Sequence, residues 1–187
     1  NPKITVYIPE GEYGALSVKL RTGDVKVSND FKFESFNASA STGDIKVEKI
    51  SAGTLTISVT TGNVTVSNVN CVGDIEVSVS TGKTNLTNIR CKNVISSGST
   101  GDMSLKNVVA LEKLSVKRST GDIKLEVCDA AEIFIETDTG DVSGTLLSEK
   151  VFITVTDTGS ISVPKITQGG RCEISTDTGD ISIKSAQ

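Results

Sequence analysis

The chain has 187 residues, with 19 basic and 23 acidic side chains, no histidine and a formal net charge of −4. Its lysines and arginines are scattered, so there is no basic face for nucleic acid, and charge gives no attraction to an anionic membrane surface. No apolar run approaches the length of a membrane span, and the chain is long enough for one large core.

Near the start, Ile4-Thr-Val-Tyr-Ile8 reads as a strand and Pro9-Glu-Gly11 as a turn, so residues 1–14 are expected to cap the domain rather than form another. From residue 15 onward the chain repeats. Thr-Gly recurs nine times at steps of 19 or 20 residues, with glycines at Gly23, Gly43, Gly62, Gly82, Gly101, Gly121, Gly140, Gly159 and Gly179. Seven residues before each glycine stand Leu16, Phe36, Leu55, Ile75, Val94, Leu114, Ile133, Phe152 and Cys172, a column that is apolar throughout. Five before it, Val18, Ala38, Ile57, Val77 and Val116 continue the inward set, and the residues between the two columns are mostly polar. That alternation predicts a strand with one buried face. A second strand follows each turn, as in Val25/Val27, Ile45/Val47 and Ile123/Leu125. A third, shorter inward segment is expected seven residues past the glycine, at Ile50, Val69, Ile89, Val108, Cys128, Leu147 and Ile166.

Short strands in a unit of 19 or 20 residues cannot bury their own apolar faces, so neighbouring units must cover them. One coil per unit, stacked in register at roughly 4.8 Å, gives a rod on the order of 40 Å long. The expected fold is all-β: a single parallel β-solenoid over 1–187, of about nine coils, with 15–187 as repeats. The general preference for right-handed crossovers makes it a right-handed β-helix. An antiparallel meander fits less well because equivalent positions keep one chemical type from unit to unit, and a propeller blade needs about 40 residues. The last coil would end at Ile183 with an open sheet edge. With no signal-peptide pattern and no starting Met, the chain reads as an excised ectodomain or fragment, and whether an export signal or a membrane anchor precedes it is left open.

The motifs Ser41-Thr-Gly-Asp-Ile-Lys-Val47, Ser119-Thr-Gly-Asp-Ile-Lys-Leu125 and Asp177-Thr-Gly-Asp-Ile-Ser-Ile183, with Tyr7-Ile-Pro-Glu-Gly11 near the start, carry a resemblance over residues 4–187. The chain resembles a bacterial adhesin-like family, a domain of unknown function, and is similar in style to head domains of autotransporter adhesins. The resemblance implies a β-solenoid of the bacterial cell envelope and brings no catalytic residues. Some relatives look linked to envelope-stress responses, which makes a sensor ectodomain one alternative. The chain departs from the motif at Thr81-Gly-Lys83 and Thr158-Gly-Ser160.

For chemistry the sequence offers little. The absence of histidine removes the commonest general base and metal ligand, and no serine sits in a nucleophile context. Cys128 and Cys172 fall in core columns and read as buried thiols. Cys71 and Cys91 stack on adjacent coils, near enough to bond but with side chains pointing in parallel, so a strained disulfide is disfavoured. At the Thr-Gly-Asp turns the glycine supplies positive φ, the threonine is expected to face inward and the aspartate to accept from turn amides. Rows of carboxylates including Asp138, Asp141, Asp157, Asp177 and Asp180 are weak candidates for a hard cation; a flat ladder seldom converges the six oxygens needed, so no metal and no cofactor is expected. Carboxylates about 5 Å apart also match a retaining glycosidase, but the ladder accounts for that spacing and no long loops build a groove. In the Thr-Asp-Thr triplets at 137–139, 156–158 and 176–178 the first threonine occupies an inward column, which argues against an ice-binding face.

The interaction candidate is an outward column that turns apolar at Ile95, Phe134 and Ile153, with Val155 nearby; Phe134 and Ile153 are expected on adjacent coils. A local phase slip that buries them is the competing reading. The functional expectation is a non-enzymatic structural or binding module with a protein or glycan partner, or self-association, touching a membrane only through a region outside this chain. A polysaccharide hydrolase or lyase is the alternative.

Overall fold

The computed structural model describes residues 5–186, and every regular element in it is a strand. In chain order these are β1 (Glu12–Thr22), β2 (Val25–Thr42), β3 (Ile45–Thr61), β4 (Val64–Cys71), β5 (Asp74–Thr81), β6 (Thr84–Thr100), β7 (Met103–Thr120), β8 (Ile123–Cys128), β9 (Glu132–Thr139), β10 (Val142–Leu146), β11 (Lys150–Thr158), β12 (Ile161–Ser162), β13 (Gly170–Thr178) and β14 (Ile181–Ser185). All pair in parallel, coil upon coil, in a β-solenoid of about nine turns. The alternation read from the sequence is the burial observed: Phe36, Leu55, Ile75, Val94, Leu114 and Ile133 have no solvent exposure, and neither do Val64, Ile123 and Val142 beyond the corner.

The corner glycines are required twice over. Their φ angles run from 130° to 155°, a region closed to side-chain-bearing residues. A Cβ on Gly101 would also lie 2.0 Å from the carbonyl oxygen of Gly82, and the same approach recurs along the stack. The aspartate after the glycine holds the coils together. Asp24 Oδ1 accepts from the Asp44 amide at 2.8 Å, Asp44 from Asn63 at 2.7 Å and Asp122 from Asp141 at 2.9 Å. The acceptor thus serves the amide of the next coil rather than its own turn. At the motif-breaking Lys83 the amide still finds Asn63 Oδ1 at 2.9 Å, while its ammonium pairs with Asp102 at 3.4 Å. The corner threonines are exposed in all nine coils, contrary to the inward placement expected. The paired register omits the residue two before each glycine, as between Leu20↔Ala40 and Thr22↔Thr42, and the bend there carries the threonine outward.

A second corner, six residues past the glycine, is left-handed at Lys49, Asn68, Asn88, Asn107 and Val127, with φ from 49° to 56°. Asparagine tolerates this conformation. The Asn68, Asn88 and Asn107 amides stack as a ladder, bonded at 3.0 and 2.9 Å. Beyond it Ile50, Val69, Ile89, Val108 and Cys128 are buried as expected, but Leu147 is 49% exposed and Leu146 takes its place at 2%. The register of β10 on β8 shifts between Gly144 and Leu146, which shortens that coil by one residue before the corner. Ile166 lies half-buried outside the strands, in the connection between β12 and β13.

The last two coils do not stack in chain order. β13 lies between β9 and β11, with Thr176 paired to Thr137 on one side and to Thr156 on the other, and β14 lies between β10 and β12. The corner glycines therefore stack as Gly121, Gly140, Gly179, Gly159. After β10 the chain climbs past one level, and the C-terminal coil later fills it. The buried Lys150 ties this detour down. Its side chain lies over Gly170 and its ammonium meets Asp129 Oδ1 at 2.7 Å, an oxygen that also accepts from Ser148 Oγ at 2.9 Å. The open C-terminal edge is accordingly β11 and β12, not the coil that ends at Ile183.

The N-terminal segment closes its end without the strand expected. Ile4 lies outside the described residues, and Thr5–Pro9 form no strand. Ile8 nonetheless packs against the core, and Tyr13 donates its hydroxyl to the Pro9 carbonyl. Gly23 in the first coil is the one corner with open space beneath it: its nearest approach to an added Cβ is Leu20 Cδ1 at 3.8 Å. Gly23→Ala therefore carries conformational strain alone, about 1–2 kcal/mol, whereas Gly101→Ala must also displace the Gly82 carbonyl and loses roughly 4 kcal/mol or more. Urea unfolding of the two variants beside the parent chain checks the difference.

Candidate functional site

The outward apolar column does not form a patch. Successive coils read Glu76, Ile95, Ser115, Phe134, Glu173 and Ile153, so a polar residue separates each apolar one from the next. Phe134 and Ile153 are not on adjacent coils, because the C-terminal coil inserts Glu173 between them. Phe134 is half-buried, with the Lys113 ammonium 5.1 Å from its ring centroid. No phase slip occurs in β11: Phe152, Thr154 and Thr156 face the core opposite Cys172, Ile174 and Thr176, while Val151, Ile153 and Val155 face out.

The acidic candidates are likewise separate. Asp138, Asp177 and Asp157 stack as an exposed row. Asp141 instead accepts from the Asp180 amide at 2.7 Å, and Asp180 from the Ser160 amide at 2.7 Å and hydroxyl at 2.9 Å. Those two bonds from Ser160 hold the Asp180 carboxyl below its ordinary pKa. Among the described residues no three acidic or cysteine side chains converge as metal ligands. The inward threonines are where the phase put them: Thr137 bonds the Gly121 carbonyl and Thr176 the Gly140 carbonyl, both nearly without exposure.

Two sites escaped the sequence reading. The first is a polar cluster inside the core. Arg118 stands in the inward column three before the glycine, which in earlier coils holds Ala40, Val59 and Val79, and is 1% exposed. Its Nη2 donates to Thr84 Oγ1 at 3.0 Å and Ser96 Oγ at 3.2 Å, and lies 3.4 Å from Met103 Sδ. Gly98 on the adjacent coil makes room, since a Cβ there would meet Nη1 at 2.6 Å. Burial lowers the guanidinium to about 10, so it stays charged at neutral pH. Thr84, Ser96, Gly98 and Arg118 each break an apolar column, and their coincidence in neighbouring coils was the available signal.

The second is a groove of about 760 Å³ on the wall past the asparagine corner. Its floor runs Tyr13, Phe33, Ala52, Cys71 and Cys91, one residue per coil, from stacked aromatic rings 6.0 Å apart to small side chains. One rim carries Lys32, Asn70 and Arg90, and the other Glu34, Val72 and Leu111. Six coils contribute, about 24 Å at strand spacing. The descent to alanine and cysteine hollows the wall, and the break between β4 and β5 turns Val72 outward, 87% exposed, with Leu111 at 75%. Backbone groups in the groove are already engaged: Val72 donates to Ala52, Gly73 to Gly53 and Lys92 to Gly73. Arg90 is held by the Ile89 and Asn107 carbonyls and Asn107 Oδ1. The groove floor therefore presents apolar contact, with polar side chains such as Glu34 and Asn70 confined to its rims.

Cys71 and Cys91 are both free and buried, as are Cys128 and Cys172. Burial pushes the Cys71 and Cys91 thiols up to about 12, and for Cys91 the neighbouring Cys71 and Asp74 add to the rise. All four thiols should therefore resist an aromatic disulfide reagent at pH 8 and react together once the chain is unfolded. Because their folded pKa lies above the ordinary value of 9.0, any stability linked to these thiols is intact below pH 9 and is lost as pH rises toward 12. Rapid labelling of two thiols in the native chain would contradict this.

No curated protein matches the chain, and no solved structure does. The family model described as Toastrack DUF4097 matches residues 1–73 and again 70–187, the whole length between them. The nine stacked Thr-Gly coils thus belong to a chain of the Toastrack DUF4097 family.

Proposed function

We propose that this chain is a non-enzymatic, adhesin-like binding module of a bacterial cell envelope, and that its groove receives an extended polypeptide segment of a partner protein through apolar side chains. The observation that carries this reading is the long hollow floored by Phe33, Ala52, Cys71 and Cys91 and rimmed by the exposed Val72 and Leu111. An extended segment matches its length along six coils. A glycan would ask for hydrogen-bonding groups along the floor, which is apolar and whose backbone is already engaged. The absence of histidine, together with carboxylates committed to the amides of the next coil, supports a binding rather than a catalytic role. The envelope location and the adhesin-like role rest on the motif resemblance of the Thr-Gly-Asp turns.

Selection of a displayed peptide library on the folded chain tests the reading. The expected binders carry spaced apolar side chains, and Val72→Lys with Leu111→Lys weakens them at least tenfold without altering thermal stability. These two side chains are exposed, so the substitutions leave the core intact. If no binder is enriched, or binders are indifferent to both substitutions, the groove is not the binding site.

A further inference from the structure

The two ends of the solenoid are unlike. At the N-terminal end, the outward residues of edge strand β1 include Lys19 and Arg21, and Ile8 packs against the core. Like charges along an edge oppose its pairing with another chain. At the other end β11 pairs only with β13, and β12 only with β14. Ile161 stands in a column where Val64, Ile123 and Val142 are fully buried, yet it is 45% exposed. From Val151 to Thr156 the edge strand has no charge, proline or glycine, and Ile153 and Val155 are exposed on its wall. Such an edge is a ready template for another strand.

The same strand determines what fits. The Glu149 carbonyl lies 2.2 Å from the place a Cβ on Gly169 would take, so it points toward the inserted coil. Backbone direction alternates along a strand, which turns the N–H and C=O of Lys150, Phe152, Thr154 and Thr156 to the open edge. Read in either direction about Ile153, the segment Val151-Phe152-Ile153-Thr154-Val155 presents the same pattern of β-branched and core-facing residues. An antiparallel pairing centred there sets Ile153 against its own copy, Val151 against Val155 and Phe152 against Thr154. The edge-pointing groups then form hydrogen-bonded pairs, Phe152 with Thr154 and Lys150 with Thr156, and Ile153 faces its copy in the closer, non-hydrogen-bonded position.

We infer that the chain forms a twofold dimer through its C-terminal edge, with β11 of one copy paired antiparallel to β11 of another. The contact is isologous and self-limiting: it closes both open ends of the cores and leaves the guarded β1 edges outside, so it does not propagate into fibres. It is independent of the groove, which opens on a side wall.

Sedimentation equilibrium of the full chain, with and without Ile153→Lys and Val155→Lys together, provides the test. The native chain is expected at twice its mass of 19.6 kDa, and the double variant at the monomer mass with unchanged circular dichroism. A second measurement does not depend on that variant. Ile153→Cys places two thiols opposite each other across the twofold axis, and mild oxidation should link them at high yield. Cysteine introduced instead at Val72, on the groove rim, should remain unlinked. A native chain that is monomeric at all concentrations, a dimer that survives both lysines, or linkage no greater at position 153 than at 72 would each overturn the proposal.

Discussion

The closest approach in the molecule sets the rest of the structure. At each interior corner the backbone of one coil sits directly on the carbonyl of the coil below, with about 2.0 Å between that oxygen and the place a Cβ would take. Only glycine permits both this contact and the φ above 130° at which the chain turns. Once the corners are seated, the Asp or Asn that follows reaches the amide of the next coil, and equivalent inward side chains fall one above another. The apolar columns are continuous because the corners are, and a side chain at one corner would part the ladders of all three walls.

Near-identity of the coils creates a difficulty that the glycine corners cannot solve. Slipping the stack by a whole unit would leave Val on Val and Thr-Gly on Thr-Gly. The departures from the repeat supply the missing information. Arg118 finds room only beside Gly98 and hydroxyl partners only at Thr84 and Ser96, so it would be clashing and unsatisfied in any other register. Lys150 finds its carboxylate at Asp129 only if one coil's thickness separates the levels they occupy. Polar groups that contribute little to net stability thus identify which coil lies on which.

Periodicity explains what was legible in the sequence. Alternation with period two and a unit of 19 or 20 residues fixed the inward columns, and nearly every one is buried as read. Features that depend on departures from the period were not legible. The exposed corner threonines follow from a bend that strand alternation does not encode. Leu146 rather than Leu147 enters the core because one coil is a residue short. The exchange of the last two coils leaves almost no trace, since Phe152, Thr154 and Thr156 would fit either level as well as Cys172, Ile174 and Thr176. That one exchange also separated the two apolar residues expected side by side, by placing Glu173 between Phe134 and Ile153. The groove arises where small residues in one column coincide with a strand break beside Val72, two features that mean little apart.

The exchange also changes where the solenoid is weakest. A stacked-repeat protein ordinarily frays from its chain ends, because a terminal coil has one neighbour instead of two. Here the C-terminal coil is sandwiched, with β13 and β14 each paired on both edges, and its last bond runs from Ala186 N to the Leu146 carbonyl. At this end the coil with one neighbour is β11 and β12, internal to the chain and tethered at both ends. Its loss of pairing on one side is offset by the Lys150–Asp129 contact at its entrance and by the inserted coil against which it lies. An open edge fixed in this way remains ordered while exposed, so its apolar side chains and unpaired backbone groups keep the geometry of a strand. That permanence, more than the apolar character of Ile153 and Val155 alone, distinguishes an edge built for a partner from one that merely ends.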